Sequence, residues 1–123
     1  MSQRLVRFLA AATPLVAAVV FAHAVCGALF SCGCVAFSMT QCSIHHHLSE
    51  LPPCPWCTGR VLFPLALAMW TAGAAGSGWL TRRHGFATTF GASLGAVLLA
   101  IVLSGALTVA ITGYPSLLGL SVR

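Results

Sequence analysis

The sequence predicts an all-α integral membrane bundle of three transmembrane helices with a cysteine-rich extracytoplasmic loop. Three observations predict it. The 123 residues are 59% hydrophobic and only 6% charged, with mean hydropathy +0.96, whereas a soluble domain carries about a quarter charged residues. Three long runs carry no fixed charge, and arginines cluster at their ends. Five of the six cysteines, Cys32, Cys34, Cys42, Cys54 and Cys57, fall between the first and second runs. At this length a single membrane domain over residues 1–123 is expected.

The first span is expected at about residues 8–30. Arg4 and Arg7 precede it, and its titratable side chains are His23 and Cys26. About 20 apolar residues cross a bilayer core, so the run is long enough. Pro14 falls in its first turns, where a membrane tolerates a kink. Ala22-His23-Ala24 also reads as a signal-peptide cleavage site. The apolar run continues to Phe30, which favours an uncleaved span. Residues 31–60 mix polar side chains and turn formers too freely to cross, so they form the loop. The second span is expected at 61–81, with Pro64 in its first turn, where a missing N–H costs little. Thr81-Arg82-Arg83-His84-Gly85 is a basic turn suited to lipid head groups. The third span is expected at 86–112, ended by Gly113-Tyr114-Pro115, and the tail to Arg123 is too short to cross again. Gly91 and Gly95 form a G-x-x-x-G, and Gly73, Gly76 and Gly78 line the second span, which suits close helix approach in lipid.

With three spans, Arg4, Arg7, Arg82 and Arg83 share one side. The positive-inside rule makes that side the cytoplasm of a bacterial plasma membrane. The N-terminus is then cytoplasmic, and the cysteine loop and C-terminus are extracytoplasmic, where disulfides persist. The net charge of +5 thus sets topology, and nothing indicates nucleic-acid binding. A haem-attachment Cys-x-x-Cys-His, a G-x-G-x-x-G and a nucleophile elbow are absent from the sequence.

The chemistry concentrates in Ser43 to Arg60. Cys54-Pro55-Trp56-Cys57 precedes the second helix, whose N-terminus favours a thiolate. A two-residue spacing closes an exchangeable disulfide, as a redox-active pair requires. The same spacing is half of a zinc or iron–sulfur ligand set. Cys32-Gly33-Cys34 can form a second, strained and oxidising disulfide. Cys42, His45 and His47 with Cys54 and Cys57 offer thiolates and imidazoles that suit copper or zinc. Glu50 is the only carboxylate. Cys26, inside the first span, reads as a small buried apolar residue.

The stretch Ser49 to Leu65, with Pro53-Cys54-Pro55-Trp56-Cys57, then Arg60 and Pro64-Leu65, resembles the first extracytoplasmic loop of the disulfide-bond formation family, the DsbB/BdbC quinone-linked thiol oxidases. The resemblance implies that Cys54 and Cys57 pass electrons from an extracytoplasmic thiol protein to a quinone. It also implies that Arg60 contacts a quinone carbonyl. Trp56 beside it and His23 on the first span would frame the head group. That family's second cysteine pair lies in a later loop. No cysteine follows Cys57 here, so Cys32 and Cys34 take the shuttle role.

The expected function is therefore membrane thiol–disulfide oxidoreduction and electron transport from protein dithiols to quinone. Two alternatives stand beside it. One is a non-enzymatic Cys/His metal-binding membrane protein. The other is a disulfide-stapled accessory subunit of a larger membrane complex. The arginine distribution generates a topology prediction: a tag at Arg123 will be accessible from outside intact cells, and an impermeant thiol reagent will label the reduced loop. A cytoplasmic tag would exclude three spans.

Overall fold

The computed structural model describes residues 3–31, 54–58, 61–118 and 120–121. These fold as helices α1 (Gln3–Val20), α2 (Ala22–Phe30), α3 (Pro55–Thr58), α4 (Leu62–Leu80) and α5 (Phe86–Thr112). The extended structure among the described residues is a two-residue antiparallel pairing of β1 (Ser116–Leu117) with β2 (Leu120–Ser121). The expected all-α character is thus present. Two helices, α1 and α5, are long and apolar enough to cross a membrane. The 19-residue α4 has the length, but three glycines, Thr71, Ser77 and two tryptophans dilute its apolar character.

The expected run at 86–112 is one helix, and that at 61–81 begins and ends one residue inside its expected bounds. The run at 8–30 differs. Helix starts earlier, at Gln3, so Arg4 and Arg7 lie on α1, and it breaks at Phe21 (φ −97°, ψ 20°). Pro14 does not end α1. It removes one N–H, and the neighbouring Thr13 hydroxyl donates to the Leu9 carbonyl at 2.7 Å. Ser31 stops α2 in the left-handed region (φ 51°).

The chain divides into two compact units, one of residues 1–20 and 66–101, the other of 21–65 and 102–123. In the first unit, α1 buries Ala10, Pro14 and Ala18, and α4 buries Ala66, Trp70, Ala74 and Ser77. The spacings of three or four place each set on one face. The α5 segment buries Thr89, Ser93, Val97 and Ala100, while Leu94, Leu98 and Leu99 face outward. Apart from Trp70 and Val97, these buried residues are small or hydroxylated, and the leucines of α5 are outside, as suits helices packed in lipid. Only 11% of the apolar window of α1 and 39% of that of α5 is buried. Contacts are close where side chains are small. A Cβ on Gly73 would meet the Ala96 carbonyl oxygen at 3.1 Å, and one on Gly78 would meet the Ala11 Cβ at 3.1 Å. A Cβ on Gly76, Gly91 or Gly95 would meet nothing within 4 Å among the described residues, so the G-x-x-x-G makes no close helix approach to them. The Ser93 hydroxyl donates to the Ala11 carbonyl at 2.7 Å, tying α5 to α1.

In the second unit, Phe30 is fully buried and meets Trp56 and Tyr114 edge-on, with centroids 5.0 and 5.5 Å away. Gly113 closes α5 at φ +67°, and its N–H reaches the Val109 carbonyl at 2.8 Å. The tail after it folds back: the Leu118 N–H donates to the Leu29 carbonyl at 2.6 Å. Gly105 leaves room for Leu29 and Leu117, whose methyls lie 3.2 and 3.3 Å from where its Cβ would be.

The contrast between the α4 glycines is testable by thermal unfolding in detergent. Gly73→Leu will destabilise by about 1–3 kcal/mol, because it forces α4 from the α5 backbone. Gly76→Leu will stay within about 0.5 kcal/mol of the parent. Equal losses would show that the Gly73 approach is not a packing constraint.

Candidate functional site: a three-cysteine cluster

Cys54 and Cys57 bracket the first turn of α3. Pro55 is the first residue of that helix, where its fixed φ suits the position and its missing N–H is not needed. Residues three apart on a helical turn share a face, which brings the two sulfurs together. Trp56, between them, points the other way into the unit's interior. It is 4% exposed, and its indole N–H donates to the Thr108 hydroxyl at 2.8 Å. Thr108 in turn donates to the Ser104 carbonyl at 2.8 Å. Trp56 also packs on Phe63, with centroids 6.1 Å apart. The Cys-x-x-Cys precedes the second long helix, as its sequence position implies, and it forms a separate four-residue helix before α4 begins at Leu62.

A third cysteine completes the group. Cys26, on α2, places its Sγ 2.8 Å from Cys54 Sγ and 3.7 Å from Cys57 Sγ. All three sulfurs lie within 4.8 Å of one another. Cys26 and Cys54 are buried, while Cys57 is exposed. The cluster therefore has one sulfur that solvent reaches and two behind it.

The chemistry of such a group is limited by electrostatics. Three bare thiolates this close in an apolar setting would repel strongly. The stable forms are protonated thiols, sulfurs joined in a disulfide, or thiolates neutralised by a cation. The trio can hold a soft metal ion, zinc or copper, through one sulfur from each residue. A tetrahedral zinc with Zn–S of about 2.3 Å holds its sulfurs about 3.8 Å apart. The Cys26–Cys57 separation of 3.7 Å matches that edge, while the Cys26–Cys54 separation of 2.8 Å is too short for it. Sulfurs as close as the second pair suit direct exchange, in which one sulfur attacks another.

Of the residues singled out by sequence, Cys54 and Cys57 come together as expected. Trp56 is a buried packing residue bonded to Thr108, and His23 lies on α2, three residues before Cys26. Cys32, Cys34, Cys42, His45, His47 and Arg60 lie outside the described residues. Cys26 is the member that sequence reading missed. Its signal was position: it lies near the outer end of the first apolar run, the end that adjoins the cysteine loop. Burial alone made it look inert. Comparison with family models, curated proteins and solved structures returns no match to this chain.

Proposed function

We propose that the protein is a membrane thiol–disulfide oxidoreductase whose exchange centre is Cys26, Cys54 and Cys57. One observation carries the reading: three sulfurs within 4.8 Å of one another, only Cys57 of them exposed. The outward leucines of α5 and the largely unburied α1 support a bilayer setting. In this reading α4 is also a span, the second of three, the N-terminus is cytoplasmic and the cluster is at the extracytoplasmic edge.

In the exchange, a thiolate of a reduced substrate protein attacks Cys57 Sγ of a Cys54–Cys57 disulfide. The Cys57–substrate bond forms and Cys54 leaves as thiolate, taking up a proton. The substrate's second thiolate then attacks its own sulfur in the mixed disulfide, and Cys57 leaves. The substrate has lost two electrons and two protons to the Cys54/Cys57 dithiol. Buried Cys26 is the second sulfur in reach of Cys54. It can attack Cys54 in the Cys54–Cys57 disulfide, which forms Cys26–Cys54 and releases Cys57 at the surface. Re-oxidation requires a two-electron acceptor, and the resemblance around Cys54 to Leu65 supports a membrane quinone in that role. Among the described cysteines only Cys57 is exposed, so the substrate dithiol engages there, and with the cluster at the extracytoplasmic edge that substrate is an extracytoplasmic protein.

The metal alternative is favoured by one observation of its own, the zinc-like 3.7 Å edge between Cys26 and Cys57. Two measurements separate the readings. Cys26→Ala will slow oxidation of a reduced model protein by reconstituted membranes about tenfold, a barrier increase of about 1.4 kcal/mol, while non-reducing peptide mapping still finds the Cys54–Cys57 bridge. Unchanged turnover would reduce Cys26 to packing. Zinc added to the dithiol form will block exchange and a chelator will restore it. If protein extracted under reducing conditions instead carries one equivalent of zinc or copper, lost in Cys26→Ser, and shows no exchange, the metal-binding function replaces the oxidoreductase.

A further inference from the structure

The unit formed by residues 1–20 and 66–101 carries Arg4, Arg7, Arg82 and Arg83 and no acidic residue at all; the chain's sole carboxylate, Glu50, belongs to the other segment. The four arginines line one end of a cleft of about 840 Å³. Beyond them its walls are apolar, with Phe8, Ala11 and Leu15 from α1 and Ala74, Ala75 and Gly78 from α4. Thr71 closes the far end, and its hydroxyl is spent on its own helix, donating to the Leu67 and Ala68 carbonyls at 2.9 Å. The cleft is thus cationic at one end and hydrocarbon-like along its length.

Two of the guanidiniums are held in place. Arg7 donates to the Arg82 carbonyl at 2.6 Å and to the Gln3 side-chain oxygen at 3.4 Å. Arg82 lies over the Trp79 ring, 4.3 Å from its centroid. An arginine has five N–H donors in a planar fork, so each held guanidinium still presents donors suited to phosphate. Four cations facing one cleft repel unless an anion joins them, and this unit contains none. The lining runs from Thr71 along α4, with Arg82 and Arg83 just past its end at Leu80, and the helical part alone is a rise of about 14 Å. That is about the depth of one leaflet of a hydrocarbon core of about 30 Å.

We infer that this cleft binds one phospholipid of the surrounding bilayer, an anionic one such as phosphatidylglycerol. Its phosphate sits among Arg4, Arg7, Arg82 and Arg83, and an acyl chain lies along Phe8, Leu15 and Ala75. The site is independent of the thiol chemistry and needs only that α1 and α4 lie in lipid. Gly78 is part of the fit: without a side chain it lets α4 approach Ala11 and keeps the cleft open between them.

The test uses the full chain, purified in mild detergent and titrated with phosphatidylglycerol or phosphatidylcholine of identical chains, with bound lipid counted by native mass spectrometry. One phosphatidylglycerol will be retained per chain, at concentrations at least about tenfold below those needed for phosphatidylcholine. Arg7→Ala with Arg82→Ala will abolish that preference. Ala75→Trp keeps all four charges, sits on an exposed part of the wall and fills the acyl groove. It will lose the bound lipid while eluting as the parent does. Inorganic phosphate will not displace the lipid, because the groove holds the chain. Equal retention of the two lipids, displacement by phosphate alone, or full retention by a well-folded Ala75→Trp protein would overturn the inference.

Discussion

The hydrogen bond from the Trp56 indole to the Thr108 hydroxyl decides where the Cys-x-x-Cys turn can sit. A four-residue helix has almost no stability of its own, since nucleation costs more than one turn returns. The α3 turn keeps its place through its neighbours, with Trp56 bonded to Thr108 and packed on Phe30 and Phe63. A buried indole N–H left unbonded costs about 1–3 kcal/mol, so the turn cannot drift from α5 without that loss. Thr108 passes the bond on to the Ser104 carbonyl and so satisfies its own proton. Phe30 and Phe63 then fill the space around the ring. With the tryptophan fixed inward, the two flanking cysteines are turned toward Cys26.

The same inside-out polarity runs through the helices. On α5, Thr89, Ser93, Ser104 and Thr108 face inward, while its leucines face outward. In water this arrangement would expose a large apolar surface and hide hydrogen-bonding groups, which is unfavourable twice over. In lipid both costs vanish. Outward leucines cost nothing against acyl chains, and inward hydroxyls return their protons to helix carbonyls, as Ser77 and Thr108 do. Close approach then depends on small residues, and Gly73 and Gly78 supply it where neighbouring backbone and Ala11 come near.

The two units differ in their chemistry. The unit of residues 1–20 and 66–101 has four arginines and no cysteine or acid. The other holds all six cysteines and the single carboxylate. Cationic side chains next to lipid attract anions, while a group of neutral thiols in an apolar pocket is quiet until one sulfur is exposed. Exposure of Cys57 alone gives the cluster a direction, from the accessible sulfur toward the buried pair.

Apolar runs and arginine positions by themselves determined the all-helical character and the places of α4 and α5, because a charge-free run of that length has few other stable states. They also marked Cys54 and Cys57, whose spacing needs only one helical turn to bring the sulfurs together. Three features depended on tertiary packing. The break at Phe21 has no glycine or proline beside it, so no local signal announces it. The burial of Trp56 depends on Thr108, a residue 52 positions away. The third sulfur of the cluster is 28 residues before Cys54, on a helix that any apolar pattern would leave featureless. Local spacing reports which side chains share a turn. Which helix a turn packs against is settled by long-range contacts, and for Cys26 that contact is the difference between a small buried residue and a partner in the site.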